Sequence, residues 1–141
     1  MPTIKRFEDL ECWQEARKLV QIIYQLTKNR RFSKDFRLAN QITDSAVSSM
    51  ANIAEGFHRR SNKDFMKVLD YSSASVAETV SHGYVAFDQN YINEEELDLV
   101  KTQADIVWKK VGNFISYLNK SLKKNQYSQS TNKTNKTNRT N

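Results

Sequence analysis

Apolar residues recur every three or four positions along four long stretches of the chain, which is the spacing of one face of an α-helix. The stretches run from about Glu8 to Lys28, Lys34 to Phe57, Lys63 to Gln89 and Glu94 to Leu122. Steps of three and four alternate almost throughout, as in helices that pack at shallow angles. The pattern therefore predicts four amphipathic helices.

Capping residues indicate where these helices begin. Ser33 is placed to cap the second helix, while Ser61 with Asp64 and Asn93 with Glu96 resemble capping boxes for the third and fourth. The connections are short, so consecutive helices are expected to lie antiparallel. The predicted fold is all-α, an antiparallel up-down-up-down four-helix bundle.

The composition supports one helical domain followed by a short tail. Only three glycines and one proline interrupt 141 residues, which is too few turn formers for a strand-rich fold. After residue 122 the chain becomes rich in Asn, Lys and Thr and cannot bury a core. We therefore predict a bundle over residues 1–122 and a disordered basic tail over residues 123–141.

The cellular location is indicated by what the sequence lacks. No stretch approaches the roughly 20 apolar residues of a membrane span, and the N-terminus has no apolar signal core. The single cysteine, Cys12, fits a reducing compartment. We expect a cytoplasmic protein with no membrane partner.

Catalytic and metal-binding patterns are incomplete in this sequence. Glu55 and His58 have the i, i+3 spacing of di-metal bundles, but such sites need a second pair and inward-facing glutamates from two other helices. Nearby acids, Glu11 and Glu15 among them, are expected to raise the pKa of the Cys12 thiol. There is no glycine-rich phosphate loop. We expect no catalytic residues, no metal and no cofactor.

Several polar residues lie on or near the apolar stripes of the second and third helices. Gln41 and Glu78 fall at the same predicted height, with Asn52 on the same stripe and Ser45 or Ser75 as possible donors. We interpret these residues as contacts that fix the register of the helices, with a ligand site as the alternative.

Two features bear on self-association. The second and third helices each carry a face of small residues, which suits either close packing within the bundle or contact with another subunit. Large apolar residues also lie outside the main stripes, and an exposed apolar patch usually marks an interface. We therefore expect a homo-oligomer. These extra apolar residues are Leu19, Ile22, Tyr24, Leu99, Ile106, Trp108 and Ile115.

Positive charge is concentrated at one end of the predicted bundle. The net charge is +6, yet residues 1–122 hold 17 Lys and Arg against 16 Asp and Glu. The second turn and both termini share one end, where residues 57–67 and 120–141 sum to +9; the opposite end sums to −1. Such an end suits phosphate backbones, although lysines in turns and tails are often simply solvated. The predicted nucleic-acid contacts are Arg59, Arg60, Lys63, Lys67, Lys120, Lys123 and Lys124.

A sequence motif points to a known family. It consists of Asn52-Ile53-Ala54-Glu55-Gly56 and Arg59-Arg60-Ser61, with Gln41 upstream and Ser75 and Glu78 downstream. The chain resembles, over about Phe7 to Leu118, the bacterial four-helix-bundle proteins encoded within 23S ribosomal RNA intervening sequences. Those are distant relatives of the accessory variability proteins of diversity-generating retroelements. The resemblance implies a ring, typically a pentamer, and nucleic-acid binding. Ser72 and Ala74 stand where the family has Ala and Gly, so the ring geometry can differ.

The combined prediction is a non-enzymatic, homo-oligomeric bundle that binds RNA or DNA through its basic end. No stacking motif is visible in the sequence, so binding is expected to be directed at the backbone. Glu55 is expected to pair with Arg59, Arg60 or Lys63. The alternative is a scaffold that docks a protein partner, for example a reverse transcriptase, without binding nucleic acid.

Overall fold

Every regular element in the described part of the chain is a helix. The computed structural model describes residues 4–137, without the side chains of residues 126–128 and 131–137. A single 3₁₀ turn, Phe7–Asp9, precedes five α-helices. These are α1 (Glu11–Leu26), α2 (Arg30–Lys34), α3 (Phe36–Phe57), α4 (Asn62–Asp88) and α5 (Glu94–Thr137).

The four long helices form a bundle. They contact one another in the cyclic order α1, α3, α4, α5 and back to α1. Hydrogen bonds join Ser45 to Thr79 and Ser48 to Ser75, so residue numbers fall along α4 as they rise along α3. α3 and α4 are therefore antiparallel. α1 and α5 are antiparallel as well, since residue numbers fall along α5 as they rise along α1. The α3–α4 turn lies at the same end as the start of α1.

The core runs along the bundle axis and contains the predicted apolar stripes, since each stripe must leave water on folding. The short helix α2 adds Phe32, whose fully buried ring stacks on Tyr91 at 5.4 Å. The largest fully buried aliphatic side chains are Leu10, Leu19, Ile23, Ile42, Ile53, Leu69, Val76, Val100, Val107 and Val111.

The capping predictions for α4 and α5 are confirmed. Ser61 Oγ accepts from the backbone N of Asp64 at 3.1 Å. At α5 the pairing is reciprocal: Asn93 Oδ1 accepts from the N of Glu96 at 2.8 Å, and Glu96 Oε1 accepts from the N of Asn93 at 3.0 Å. Both helices therefore begin where local hydrogen bonding satisfies their first donors.

The prediction for the start of the second long helix is wrong. An additional short helix, α2, precedes α3 in the structure. Asp35 rather than Ser33 caps α3, since its Oδ1 accepts a hydrogen bond from the N of Leu38 at 3.1 Å. The Ser33 hydroxyl instead donates to the carbonyl of Arg30 at 2.9 Å. Asn29, which caps α2, starts a separate helical turn that ends at Lys34.

The last helix extends past its predicted end. It continues to Thr137 rather than ending near Leu122, although Leu118 is the last buried residue among those whose side chains are described. Adding residues to an existing helix costs far less than starting one, which accounts for the extension. The division at residue 122 and the disorder of the tail stay predictions, and residues 138–141 lie outside the described residues.

Candidate nucleic-acid interface

The α3–α4 turn and the last packed turns of α5 border a common cleft of about 470 Å³. This confirms that the Arg59 corner lies beside the end of the packed part of the last helix. The lining residues are Ile4, Phe57, Arg59, Arg60, Ser61, Asn62, Phe65, Phe114, Tyr117 and Leu118. We call the exposed cations of the α3–α4 turn, of the start of α4 and of α5 after Leu118 the basic pole: Arg59, Arg60, Lys63, Lys67, Lys120, Lys123 and Lys124.

The turn that presents the arginines is formed by backbone hydrogen bonds. At the end of α3 the N of His58 donates to the Glu55 carbonyl at 3.1 Å, and the N of Arg59 to that of Gly56 at 3.0 Å. Gly56 lies inside α3 and has no positive φ, so it does not end the helix as a left-handed cap. Its small size instead admits the ring of Phe65 from α4.

Most cations of the basic pole have no ion-pair partner in the part of the chain whose side chains are described. The expected local pair of Glu55 is confirmed, because its Oε1 contacts the Arg59 guanidinium. Among the described residues, no carboxylate lies within 4.0 Å of the other six cations. Exposed, unpaired cations of this kind are free to contact an external anion.

The net charge of this end is lower than the sequence sum. That sum left out Glu55 and the N-terminal segment, which lies at the same end. In that segment Arg6 sits 4.0 Å from Glu8 and 3.9 Å from Asp9, so it neutralises acids rather than adding to the pole. The positive character therefore depends on the α3–α4 turn and on α5.

Gln41 and Glu78 do not form the predicted contact. Both are exposed, and Glu78 Oε1 lies 3.4 Å from His82 Nε2 on its own helix. The level partner of Ser48 is Ser75, which shifts the α3–α4 register by about one turn from the prediction. The predicted heights assumed that α3 and α4 extend equally far from a turn centred on Arg59–Arg60. The actual turn is less symmetric.

Hydroxyl groups hold the α3–α4 seam. Ser45, Ser49, Ser72 and Thr79 are buried, so this part of the small face packs within the chain. Asn52 belongs to the same seam, since its Nδ2 donates to Ser48 Oγ at 3.2 Å. The contacts across the seam are Ser45 Oγ to Thr79 Oγ1 (2.8 Å), Ser48 Oγ to Ser75 Oγ (3.0 Å) and Ser72 Oγ to the Ser49 carbonyl (2.6 Å).

The α1–α5 seam contains a polar cluster that the sequence analysis missed. Gln103 Nε2 donates to the carbonyl and to Oε2 of Glu15, at 2.9 and 2.8 Å. This hydrogen bond, with Lys18, holds the pKa of Glu15 below its ordinary value. Lys110 Nζ lies 2.7 Å from Glu11 Oε2, and this contact raises the pKa of Lys110. The sequence does not reveal this cluster, because Gln103 is 88 residues from Glu15 and Lys110 is 99 residues from Glu11.

The residues considered for catalysis or metal binding occupy structural positions. Cys12 is buried, and burial raises the pKa of its thiol to about 11. The pKa of Cys12 is shifted in the predicted direction, but burial is the main cause and the charge of Glu11 contributes least. His58 packs edge-on against Phe7 and Phe57, with ring centroids 6.2 and 5.5 Å away.

The described residues contain no group of three or more His, Cys, Asp or Glu side chains suited to a metal ion. Within residues 4–137, no helix has the length and apolarity to cross a membrane.

Comparison with known proteins identifies the family. The family model described as 23S rRNA-intervening sequence protein matches residues 8–113. The chain belongs to this family. The resemblance drawn from the sequence motif is thereby confirmed, while the link to retroelement proteins stays a prediction.

A solved structure of another protein shows the same fold. It is a protein of unknown function from the S23 ribosomal protein family of Bacteroides thetaiotaomicron, with a TM-score of 0.67 and 22% sequence identity. The alignment covers 74% of this chain and 97% of that chain. No curated protein matches this chain.

Proposed function

We propose that this intervening-sequence protein binds RNA or DNA in the cytoplasm through its basic pole, as a non-enzymatic homo-oligomer. The observation that supports the proposal is a group of six exposed cations around the α3–α4 turn and on α5, which have no ion-pair partner among the side chains that the structure describes. Cations that neutralise phosphates release the counterions condensed on the nucleic acid, which gives a favourable, salt-dependent binding free energy. Because the family is named for sequences within 23S rRNA, RNA is the first probe to use.

We further propose that several subunits form a ring, for which the resemblance implies a pentamer. Leu19 is buried in the core, but Tyr24 and Leu99 remain about half exposed. Phe36 and Val47 on α3 are exposed as well, Phe36 by 74%. A monomer gains nothing from leaving such side chains in water, whereas a subunit interface would bury them. Parallel subunits in a ring would place several basic poles on one face and multiply the local charge.

The test is a salt titration of RNA binding, measured by fluorescence anisotropy. We expect binding at low ionic strength that weakens steeply as salt is added. The triple variant Arg60→Glu, Lys63→Glu, Lys67→Glu should bind at least about tenfold more weakly, with a salt slope reduced by roughly one for each lost phosphate contact.

The matched control reverses Arg30, Arg31 and Lys34 at the opposite end of the bundle. We expect this control to bind as the unaltered protein does. Absence of binding at low salt, or equal loss in both triple variants, would refute the proposal. Light scattering tests the oligomer separately, and a monomer at micromolar concentration would exclude the ring.

The second candidate function is a protein-interaction scaffold, and the exposed apolar side chains of α1 and α3 favour it. Tyr24, Phe36 and Val47 offer the kind of surface that a protein partner buries. This candidate predicts that a partner is retained without residues 123–141 and that no RNA is retained in a salt-dependent manner. Pull-downs from native cells with and without nuclease distinguish the two functions.

A further inference from the structure

The cleft beside the basic pole has an aromatic wall. Tyr117 is 48% exposed, and its ring stacks on Phe114 with a centroid separation of 5.8 Å and an interplanar angle of 29°. Phe114 is held in turn by Phe65, edge-on at 5.3 Å. The tyrosine ring is therefore supported from behind by packed rings while part of its surface faces solvent.

The rest of the cleft lining combines apolar side chains with polar and positively charged ones. Ile4 and Leu118 contribute aliphatic surface, and Arg59 and Arg60 stand at the α3–α4 turn. Arg59 is engaged by Glu55, whereas Arg60 has no ion-pair partner among residues 4–137. The volume of about 470 Å³ falls within the range of about 300–1,000 Å³ typical of small-ligand sites.

We propose that this cleft accepts an unpaired base of a single-stranded nucleic acid, stacked on Tyr117 with its phosphate at Arg60. The inference rests on the proposed function and deepens it, because it selects single strands over duplexes. Only a ligand with both a flat apolar face and an anionic group uses both parts of the cleft. A duplex offers phosphates but keeps its base faces stacked inside the helix.

This inference adds a base contact to the expected, largely backbone-directed binding, which stays a prediction. Stacking on an aromatic side chain contributes about 1–3 kcal/mol per base, which corresponds to roughly 5- to 150-fold in affinity. The sequence shows no stacking motif because Arg60 lies in the α3–α4 turn and Tyr117 on α5, so the two residues line one cleft only in the folded bundle. The base contact adds preference for unpaired strands to the charge-driven binding.

The experiment compares a 12-nucleotide single strand with a duplex of the same sequence, each titrated against the full-length protein. Tyr117→Leu keeps an apolar side chain but removes the ring, so single-strand affinity should fall at least about fivefold. Duplex affinity and the salt slopes should not change, because no charge is lost. Tyr117→Phe keeps the ring and should bind as the unaltered protein does.

The matched control is Tyr71→Leu, since Tyr71 is a similarly exposed tyrosine (53%) on α4 outside the cleft. It should leave both affinities unchanged. Equal effects of Tyr117→Leu and Tyr71→Leu, or equal losses for single strand and duplex, would overturn the stacking inference while leaving the proposed function standing. No salt-dependent binding of either nucleic acid by the unaltered protein would instead overturn the proposed function itself. A change of oligomeric state in Tyr117→Leu without nucleic acid would assign the cleft to a second copy and reject the inference.

Discussion

Gly56 and Phe65 lie so close together that a Cβ atom on Gly56 would sit 2.5 Å from Cδ2 of the phenylalanine. The ring has little room to withdraw, because Phe57 and Phe114 pack against it edge-on at 6.4 and 5.3 Å. Gly56 therefore serves helix packing where α3 meets the first turn of α4. The glycine of the family motif is explained by this contact rather than by a helix terminus.

Replacing Gly56 by alanine should destabilise the bundle by about 1 kcal/mol, the middle of a net range of about 0–2 kcal/mol. Overpacking costs about 1–3 kcal/mol, while the better helix propensity of alanine returns up to about 1 kcal/mol. Gly112 is the control, since an added Cβ there meets nothing within 4 Å. Gly112→Ala should raise the free energy of unfolding by about 0.5–1 kcal/mol. Urea unfolding measures both, and stabilisation by both alanines would contradict the contact.

The helices could be predicted because their signals are local. Each apolar stripe and each cap at Ser61 and Asn93 involves residues a few positions apart, so the sequence displays them directly. The relative height of Gln41 and Glu78 could not be predicted, because it depends on how the turn joins two rigid rods. An error of about one turn moves a predicted contact onto solvent-exposed faces.

The candidate site also combines features that the sequence displays with features that arise only when the helices pack. Arg59 and Arg60 are neighbours in sequence, so their clustering with Lys63 was visible. The cleft was not, because Tyr117 approaches them only when α5 packs against α4. The hydrogen bond between Gln103 and Glu15 was hidden for the same reason.

The buried hydroxyl pair of Ser45 and Thr79 should behave as a coupled unit. Ser45→Ala and Thr79→Val each remove one partner, and each should cost about 0.5–1.5 kcal/mol. The remaining hydroxyl keeps a backbone acceptor, at Ile42 for Ser45 and at Ser75 for Thr79. The double variant should lose less than the sum of the two single losses, because their mutual contact is removed only once. A double-mutant cycle by urea unfolding checks this, and strict additivity would mean that the hydroxyls do not interact.

Glu15 should make the stability of the bundle depend on pH in the acidic range. Its pKa is lowered from 4.5 in the folded state, chiefly by the Gln103 amide, so the carboxylate stabilises the fold above the unfolded pKa. This stabilisation is lost as the pH falls through the lower, folded-state pKa. Glu15→Gln should therefore be less stable near neutral pH and lose less stability below about pH 4.5. Asp44→Asn, which removes an exposed carboxylate of α3, is the control.

Ending the chain after Leu122 should separate the contribution of α5 to the stability of the bundle from its contribution to RNA binding. The described side chains beyond that residue are exposed, so unfolding free energy should change by less than about 0.5 kcal/mol. RNA affinity should fall and its salt slope should become shallower, because Lys123, Lys124 and the later cations of the tail are removed. Amide hydrogen exchange on the full chain tests the predicted disorder, since a disordered tail exchanges without protection after residue 122. A large loss of stability on truncation would show that the extension packs on the bundle, and unchanged RNA binding would restrict the interface to the α3–α4 turn.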